Sequence, residues 1–92
     1  MLPVTYLNPA KKYVKKLNEK FLDKINDIRL NPYIGELKSG DLAGIYCCDI
    51  TYKGRNYELA YRLEENQRGE IVVVIMAGTR ETFYQELKRY IK

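Results

Sequence analysis

Histidine is absent from the 92 residues, and so is tryptophan. Without an imidazole there is no Ser–His or Cys–His nucleophile pair, no histidine general base and no histidine metal ligand. Cysteine occurs twice, at the adjacent positions Cys47 and Cys48. Neighbours in a strand point to opposite faces, so geometry disfavours a disulfide between them, and free thiols point to a reducing compartment. No apolar run approaches the roughly 20 residues of a membrane span. Met1-Leu2-Pro3-Val4-Thr5 also lacks the charged, then apolar, order of an export signal. A cytoplasmic chain with no membrane partner is expected. Chain length is short as well: residues 1–92 exclude barrel and dinucleotide folds and form one domain with a thin core.

What is present reads as a folded protein, with 46% hydrophobic and 30% charged residues. Nine tyrosines supply much of the bulky surface and can face a wet interface. Sixteen Lys and Arg against twelve Asp and Glu leave a net charge of +4, which favours a polyanionic or acidic partner.

Hydrophobic period divides the chain. Leu2 to Leu7 predicts a short strand, after which Asn8 is expected to cap a helix with Pro9 at its first position. Ala10, Tyr13, Val14, Leu17, Phe21, Ile25 and Ile28 recur at three- and four-residue steps, with lysines opposite. Residues 9–30 form either one long helix or two broken near Asn18-Glu19. Asn31-Pro32 ends the helical region, and Gly35, Gly40 and Gly44 punctuate a loop. The second half is β in character, with strands at Ile45–Tyr52 and Tyr57–Leu63, a polar loop at Glu65–Gly69, and Ile71–Met76 apolar on both faces. Gly78-Thr79 is expected to cap a last helix that buries Phe83, Leu87 and Ile91.

The expected order is β-α(α)-β-β-β-α, an α+β fold with helices packed on a mainly antiparallel sheet. If Lys53–Asn56 is a four-residue turn, Tyr52 pairs with Tyr57, Ile50 with Leu59, Cys48 with Tyr61 and Tyr46 with Leu63 on the core face. The other face then carries Cys47, Asp49, Thr51, Glu58, Ala60 and Arg62.

Several segments together resemble one family. They are Leu37-Lys38, Gly40-Asp41-Leu42-Ala43-Gly44-Ile45-Tyr46, Tyr57-Glu58-Leu59-Ala60-Tyr61-Arg62-Leu63, and Ile71–Met76 followed by Ala77-Gly78-Thr79-Arg80 and Tyr84. In this order and at these spacings they are similar to the RelE/ParE superfamily, toxins of type II toxin–antitoxin modules. The resemblance covers nearly the whole chain and implies the element order above. It implies a cognate antitoxin protein as partner. For the RelE branch it implies a ribosome-dependent mRNA endoribonuclease that needs no metal or other cofactor and uses the substrate 2′-hydroxyl as nucleophile. For the ParE branch it implies a non-enzymatic inhibitor of DNA gyrase. A catalytically degenerate toxin acting by binding is a further alternative.

The resemblance also assigns residues. Arg80 stands where RelE-type nucleases carry an arginine that supports transition-state charge, and Tyr84 matches their late tyrosine. The family's strand-two lysines fall at Cys47 and Asp49, and its strand-three arginine at Glu58. A YoeB-like branch uses a glutamate, so Asp49 or Glu58 is a candidate general base, with Arg62 on the same face. Lys38, Lys53, Arg55 and Lys88 are candidates for substrate binding through phosphates. Each has a plainer reading: Arg80 in a salt bridge to Glu81 or Glu58, Tyr84 packed, the acids solvated or paired with Arg62. Cys47 is expected to be a small strand residue, since no histidine activates it.

Overall fold

Helical and extended segments follow the changes of hydrophobic period along the chain. The computed structural model describes residues 1–91, which form β1 (Val4–Tyr6), α1 (Asn8–Leu30), β2 (Glu36–Leu37), a 3-10 turn (Gly40–Leu42), β3 (Tyr46–Tyr52), β4 (Arg55–Asn66), β5 (Gly69–Thr79) and α2 (Phe83–Ile91). The strands make one five-stranded sheet in the order β1-β5-β4-β3-β2. β1 runs parallel to β5, and the other neighbours are antiparallel, as the α+β expectation requires. No helix among the described residues is long and apolar enough to cross a membrane.

α1 buries Ala10, Tyr13, Leu17, Phe21, Ile25 and Ile28, its apolar stripe, against one face of the sheet. The single helix or broken pair that periodicity left open is a pair of segments meeting at Asn18, whose φ of 51° and ψ of −125° are not helical. Asparagine accepts positive φ more readily than most side chains. Before the break Tyr13 packs edge-on to Tyr57; after it Phe21 meets Tyr6, and Arg29 Nε donates to the Leu2 carbonyl at 2.5 Å. The second segment therefore returns across the sheet toward the chain start. Asn8 does not cap this helix. It is the first helical residue, preceded by Leu7, whose N–H donates to the Val74 carbonyl and ties the chain to β5.

Four other expectations are corrected. Residues 36 and 37 form an edge strand on β3, not a loop. The β3–β4 hairpin turns on two residues, Lys53 and Gly54, both at positive φ (50° and 76°). This is the turn geometry that matches the right-handed twist of the flanking strands. Tyr52 consequently pairs with Arg55, Ile50 with Tyr57, Cys48 with Leu59 and Tyr46 with Tyr61. The register moves by two residues from the four-residue-turn expectation, which exchanges every partner and keeps every face, because strand side chains alternate with period two. Pairing of β4 with β5 also extends through Glu65 and Asn66, leaving a turn only at Gln67-Arg68. Finally, Thr79 is still strand; α2 starts at Phe83, its first turn held by the Glu86 N–H donating to the Thr82 carbonyl, and Ile91 is exposed.

β5 carries a bulge: Ala60 pairs with Met76 and Tyr61 with Val74, so Ile75 is the extra residue. Ile75 and Met76 both join the second core layer, with Leu42, Ile45, Cys47, Ala60, Phe83 and Leu87. α2 has nine residues and buries Phe83 and Leu87 in this layer. Asp49, Glu58 and Tyr84 line a cleft beside it.

Gly35 fixes the loop that closes this edge. Its N–H donates to the Tyr61 hydroxyl at 3.0 Å, and that hydroxyl donates to the Pro32 carbonyl at 2.7 Å. A Cβ at position 35 would lie 2.7 Å from the Tyr61 oxygen and 3.1 Å from Tyr46 Cβ. Tyr61 is wholly buried and cannot move aside. Gly35→Ala is expected to cost about 1–3 kcal/mol of stability through overpacking. Urea denaturation checks this: the midpoint should fall with an unchanged slope.

Candidate functional site

The two-residue turn places Asp49 and Glu58 directly opposite one another on adjacent strands. Their environments differ: the Asp49 side chain is 61% exposed, that of Glu58 only 6%. Arg80 follows β5, where its backbone N–H donates to the Asn56 carbonyl at 3.2 Å. Its side chain reaches both acids, with Nη2 2.8 Å from Asp49 Oδ2 and Nε 3.3 Å from Glu58 Oε1. Residues from the middle of β3, from β4 and from the turn after β5 thus converge on one point.

Their protonation separates as like charges at close range require. Burial, and then the adjoining Asp49 carboxylate, push Glu58 up to about 7. The guanidinium opposes this, but its contact with Glu58 is the longer of its two. Asp49 is held below the usual carboxylate range, first by hydrogen bonding from Glu58 and then by Arg80. Arg80 is held protonated more firmly than usual, chiefly by its bond to Asp49. Two neighbouring carboxyls, one ionised and one near half-protonated at neutral pH, are the arrangement that divides acid and base roles.

Tyr84, from the first turn of α2, forms the next wall of the cleft, which has a volume of about 590 Å³ and is also lined by Glu36 and Cys47. Its ring stands edge-on to buried Phe83 at 5.3 Å. Partial burial raises its phenol, so it keeps its proton at neutral pH. Lys38 Nζ sits 5.0 Å from the centre of the Tyr84 ring and pairs with the Glu36 carboxylate, which raises the lysine's pKa. Glu36 was not among the sequence candidates. Its signal was available in the i, i+2 spacing to Lys38, which puts both on one side of a strand once residues 36 and 37 are recognised as one.

The cleft brings Asp49, Glu58, Arg80 and Tyr84 together, with Lys38 at the Tyr84 edge. It does not include Arg62, which lies past the bulge, opposite Val73, and pairs with Glu64 at 2.6 Å. Lys53 is at the hairpin turn, its Nζ 5.3 Å from the Tyr52 ring. Arg55 lines a separate pocket of about 420 Å³ with Asn56, Thr79 and Arg80, and Lys88 lines a groove of about 600 Å³ with Lys38 and Tyr84.

Cys47 faces the cleft floor and Cys48 the α1 core, both buried and unbridged. Burial, the largest cause for each, pushes both thiols up to about 11. Neither is a nucleophile at neutral pH. Native protein at pH 7 should react with a thiol reagent roughly a hundredfold or more slowly than urea-unfolded protein. Comparable rates in the two states would contradict the burial of both residues.

The model of one family, described as the ParE-like toxin of type II bacterial toxin–antitoxin systems, matches residues 4–88. No curated protein matches the chain. Among solved structures, a free-state mutant of Escherichia coli toxin RelE with two arginines replaced by alanine is similar, at TM-score 0.69 and 21% identity over 99% of this chain and 98% of that one. A YoeB/ParE toxin from Agrobacterium tumefaciens aligns at TM-score 0.65 and 17% identity over 86% of this chain and 99% of that one. The toxin–antitoxin complex RelBE2 from Mycobacterium tuberculosis contains a chain similar at TM-score 0.56 and 22% identity, covering 86% of this chain and 98% of that one. At these identities the likeness is one of fold.

Proposed function

Because the chain belongs to the ParE-like toxin family of type II toxin–antitoxin systems, we propose that it acts as a RelE-like endoribonuclease on mRNA held in the ribosome. The observation that carries this reading is the Asp49–Glu58 pair bridged by Arg80, with Glu58 at about 7. Metal-free RNA cleavage needs a base for the 2′-hydroxyl proton, a cation for the charge that grows on phosphorus oxygens, and in-line placement. In its ionised form Glu58 takes the 2′-hydroxyl proton. The 2′ oxygen then bonds to phosphorus, the bond to the 5′ oxygen breaks, and that oxygen is protonated. Tyr84, which holds its phenolic proton, stands at the rim to donate it or to stack on a base. Arg80 is gripped through Nε and Nη2 by the two acids, which pre-orients its remaining donors toward a phosphate.

Acid–base assistance is worth roughly 10²–10⁴-fold. The rest of the acceleration would come from the ribosome ordering its mRNA, so the free protein should be nearly inactive on free RNA. Primer extension on mRNA from cells inducing the protein tests the proposal. Cuts phased to the ribosomal A site support it, and their absence counts against it.

A second reading is a ParE-like inhibitor of DNA gyrase, or a degenerate toxin that acts by binding. It is favoured by the two carboxyls that offset Arg80 on the cleft floor. Inhibition of supercoiling by micromolar purified protein would support the gyrase target, and unimpaired supercoiling would remove it. Under either reading the partner is a cognate antitoxin. Exposed Leu30, Tyr33, Ile34 and Leu37 beside the short edge strand β2 suit an amphipathic segment that folds on binding.

A further inference from the structure

The Glu36–Lys38 ion pair stands at the cleft wall without a part in the chemistry of Asp49, Glu58 and Arg80. Lys38 follows β2 and its backbone is fixed: its N–H donates to the Ile45 carbonyl at 2.9 Å, while Glu36 and Leu37 pair with Cys47 and Tyr46. The other end of this segment is tied by the Gly35 N–H, which donates to the buried Tyr61 hydroxyl at 3.0 Å. A segment held at both ends presents its side chains from a rigid base. The Lys38 side chain is 24% exposed, against 73% for that of Glu36. Its Nζ pairs with the Glu36 carboxylate and lies 5.0 Å from the centre of the Tyr84 ring. Tyr84 lines both the cleft and the adjoining groove, whereas Lys38 lines only the groove. Lys38 therefore meets the cleft through Tyr84 rather than directly.

The charged surroundings of the phenol are mixed. The cleft supplies Glu36, Asp49, Glu58 and Arg80, with Lys24 contributed by α1, and the groove adds Asp41 and Lys88. Burial raises the phenol most, Cys47 and Glu58 add to that, and Lys38 acts the other way. Glu36 in turn keeps Lys38 protonated. We propose that Lys38 is the positioning residue for Tyr84: anchored by Glu36, its ammonium holds the phenol at the cleft rim as the proton donor to the departing 5′ oxygen. The proposal rests on the nuclease reading and gives Tyr84 the donor role in place of base stacking. In that step the phenolic O–H bond breaks, the proton passes to the 5′ oxygen as its bond to phosphorus breaks, and solvent later returns a proton to the phenolate. A phenolate formed in a partly buried site is costly unless a cation adjoins it. Lys38 supplies that cation. Its attraction grows only as charge develops on the phenol, so it favours the transition state over the ground state.

The test has one measurement on the free protein and one on ribosome-bound mRNA. The full chain is labelled with 3-fluorotyrosine, whose phenol ionises at lower pH than that of tyrosine, and the Tyr84 fluorine signal is identified by its loss in Tyr84→Phe. Lys38→Met should move the ionisation of that signal to higher pH, and Lys38→Arg should undo most of the shift. On ribosomes programmed with a defined mRNA, Lys38→Met should slow cleavage roughly 10–100-fold, the cost of a misplaced reacting group. Tyr84→Phe should slow it at least as much. Tyr84→Phe/Lys38→Met should be no slower than Tyr84→Phe alone, since a residue that acts through another adds nothing once that other is gone. Glu36→Gln should have a smaller effect that likewise vanishes in the Lys38→Met background. Effects that multiply in the double variant would show that Lys38 touches the RNA itself and overturn the proposal, as would a fluorine titration that Lys38→Met leaves in place. Phased cuts with multiplying effects would keep the nuclease and remove the role of Lys38. A shifted titration without any cuts would keep the Lys38–Tyr84 contact and remove the nuclease, and proton delivery with it.

Discussion

Replacing Arg80 with alanine is expected to reduce A-site-phased mRNA cleavage by roughly 10²–10³-fold, the usual cost of deleting one preorganised donor aimed at developing negative charge. The loss has two sources. The phosphate loses the cation that the two acids hold in the cleft. The acids lose the group that keeps them both partly ionised, since Arg80 opposes the upward push on Glu58 and helps to hold Asp49 low. With the guanidinium gone, Glu58 retains its proton to higher pH and fewer molecules carry a competent base. Arg80→Lys should recover only part of the activity, because an ammonium cannot hold two carboxylates and still present a planar set of donors. Quantitative primer extension at matched expression reads the effect, and undiminished cutting by Arg80→Ala would sink the assigned role. The folded state should survive, since the Arg80 side chain is half exposed and its backbone bond to Asn56 needs no side chain.

Glu58→Gln carries the second large effect, on activity and on the pH dependence of stability at once. Gln cannot accept the 2′-hydroxyl proton, so cleavage should fall by roughly 10²–10⁴-fold. In the unaltered protein cleavage should rise with pH through a midpoint at about 7, as Glu58 ionises, and level off above it. Stability should move the opposite way. A carboxyl raised to about 7 in the folded state, from about 4.3 in the unfolded chain, binds its proton more tightly when folded. Its contribution is therefore complete below pH 4 and is lost as pH climbs to 7. After allowance for screening through exposed Asp49 the loss is about 1–2 kcal/mol. Glu58→Gln should not show it. Asp49 has the reverse sign, contributing stability above its ordinary pKa and losing it only as pH falls through its depressed value, so the interval from pH 5 to 8 reports Glu58 alone. Urea midpoints of both proteins at pH 5 and pH 8 measure the difference. Parallel behaviour of the two would mean that Glu58 is ionised throughout.

Much of this molecule is legible in the residue order. The three- and four-residue recurrence from Ala10 to Ile28, the apolar run Ile71–Met76 and the alternation around Tyr57–Leu63 specify helices, an interior strand and a two-faced hairpin. Those patterns report local geometry, because a helix repeats every 3.6 residues and a strand every two. They also place Asp49 and Glu58 on one face and Arg80 just beyond the last strand. Patterning cannot say which residue of β3 meets which residue of β4. A shift of two leaves every apolar side chain buried, so the hydrophobic pattern is blind to it. The pair of positive-φ residues Lys53 and Gly54 decides that register, and with it the meeting of Asp49 and Glu58 that would otherwise lie apart. Arg62 parts from this group for a related reason: the bulge at Ile75 divides the strand pairing between it and the acids. Glu58's affinity for its proton is further still from the sequence, since it arises where the sheet buries the side chain and sets a second carboxylate across from it. Residue order alone determined the main elements and their faces; folding decided the edge strand at Glu36–Leu37 and which charges meet, because electrostatic energy depends on distance and burial rather than on separation along the chain.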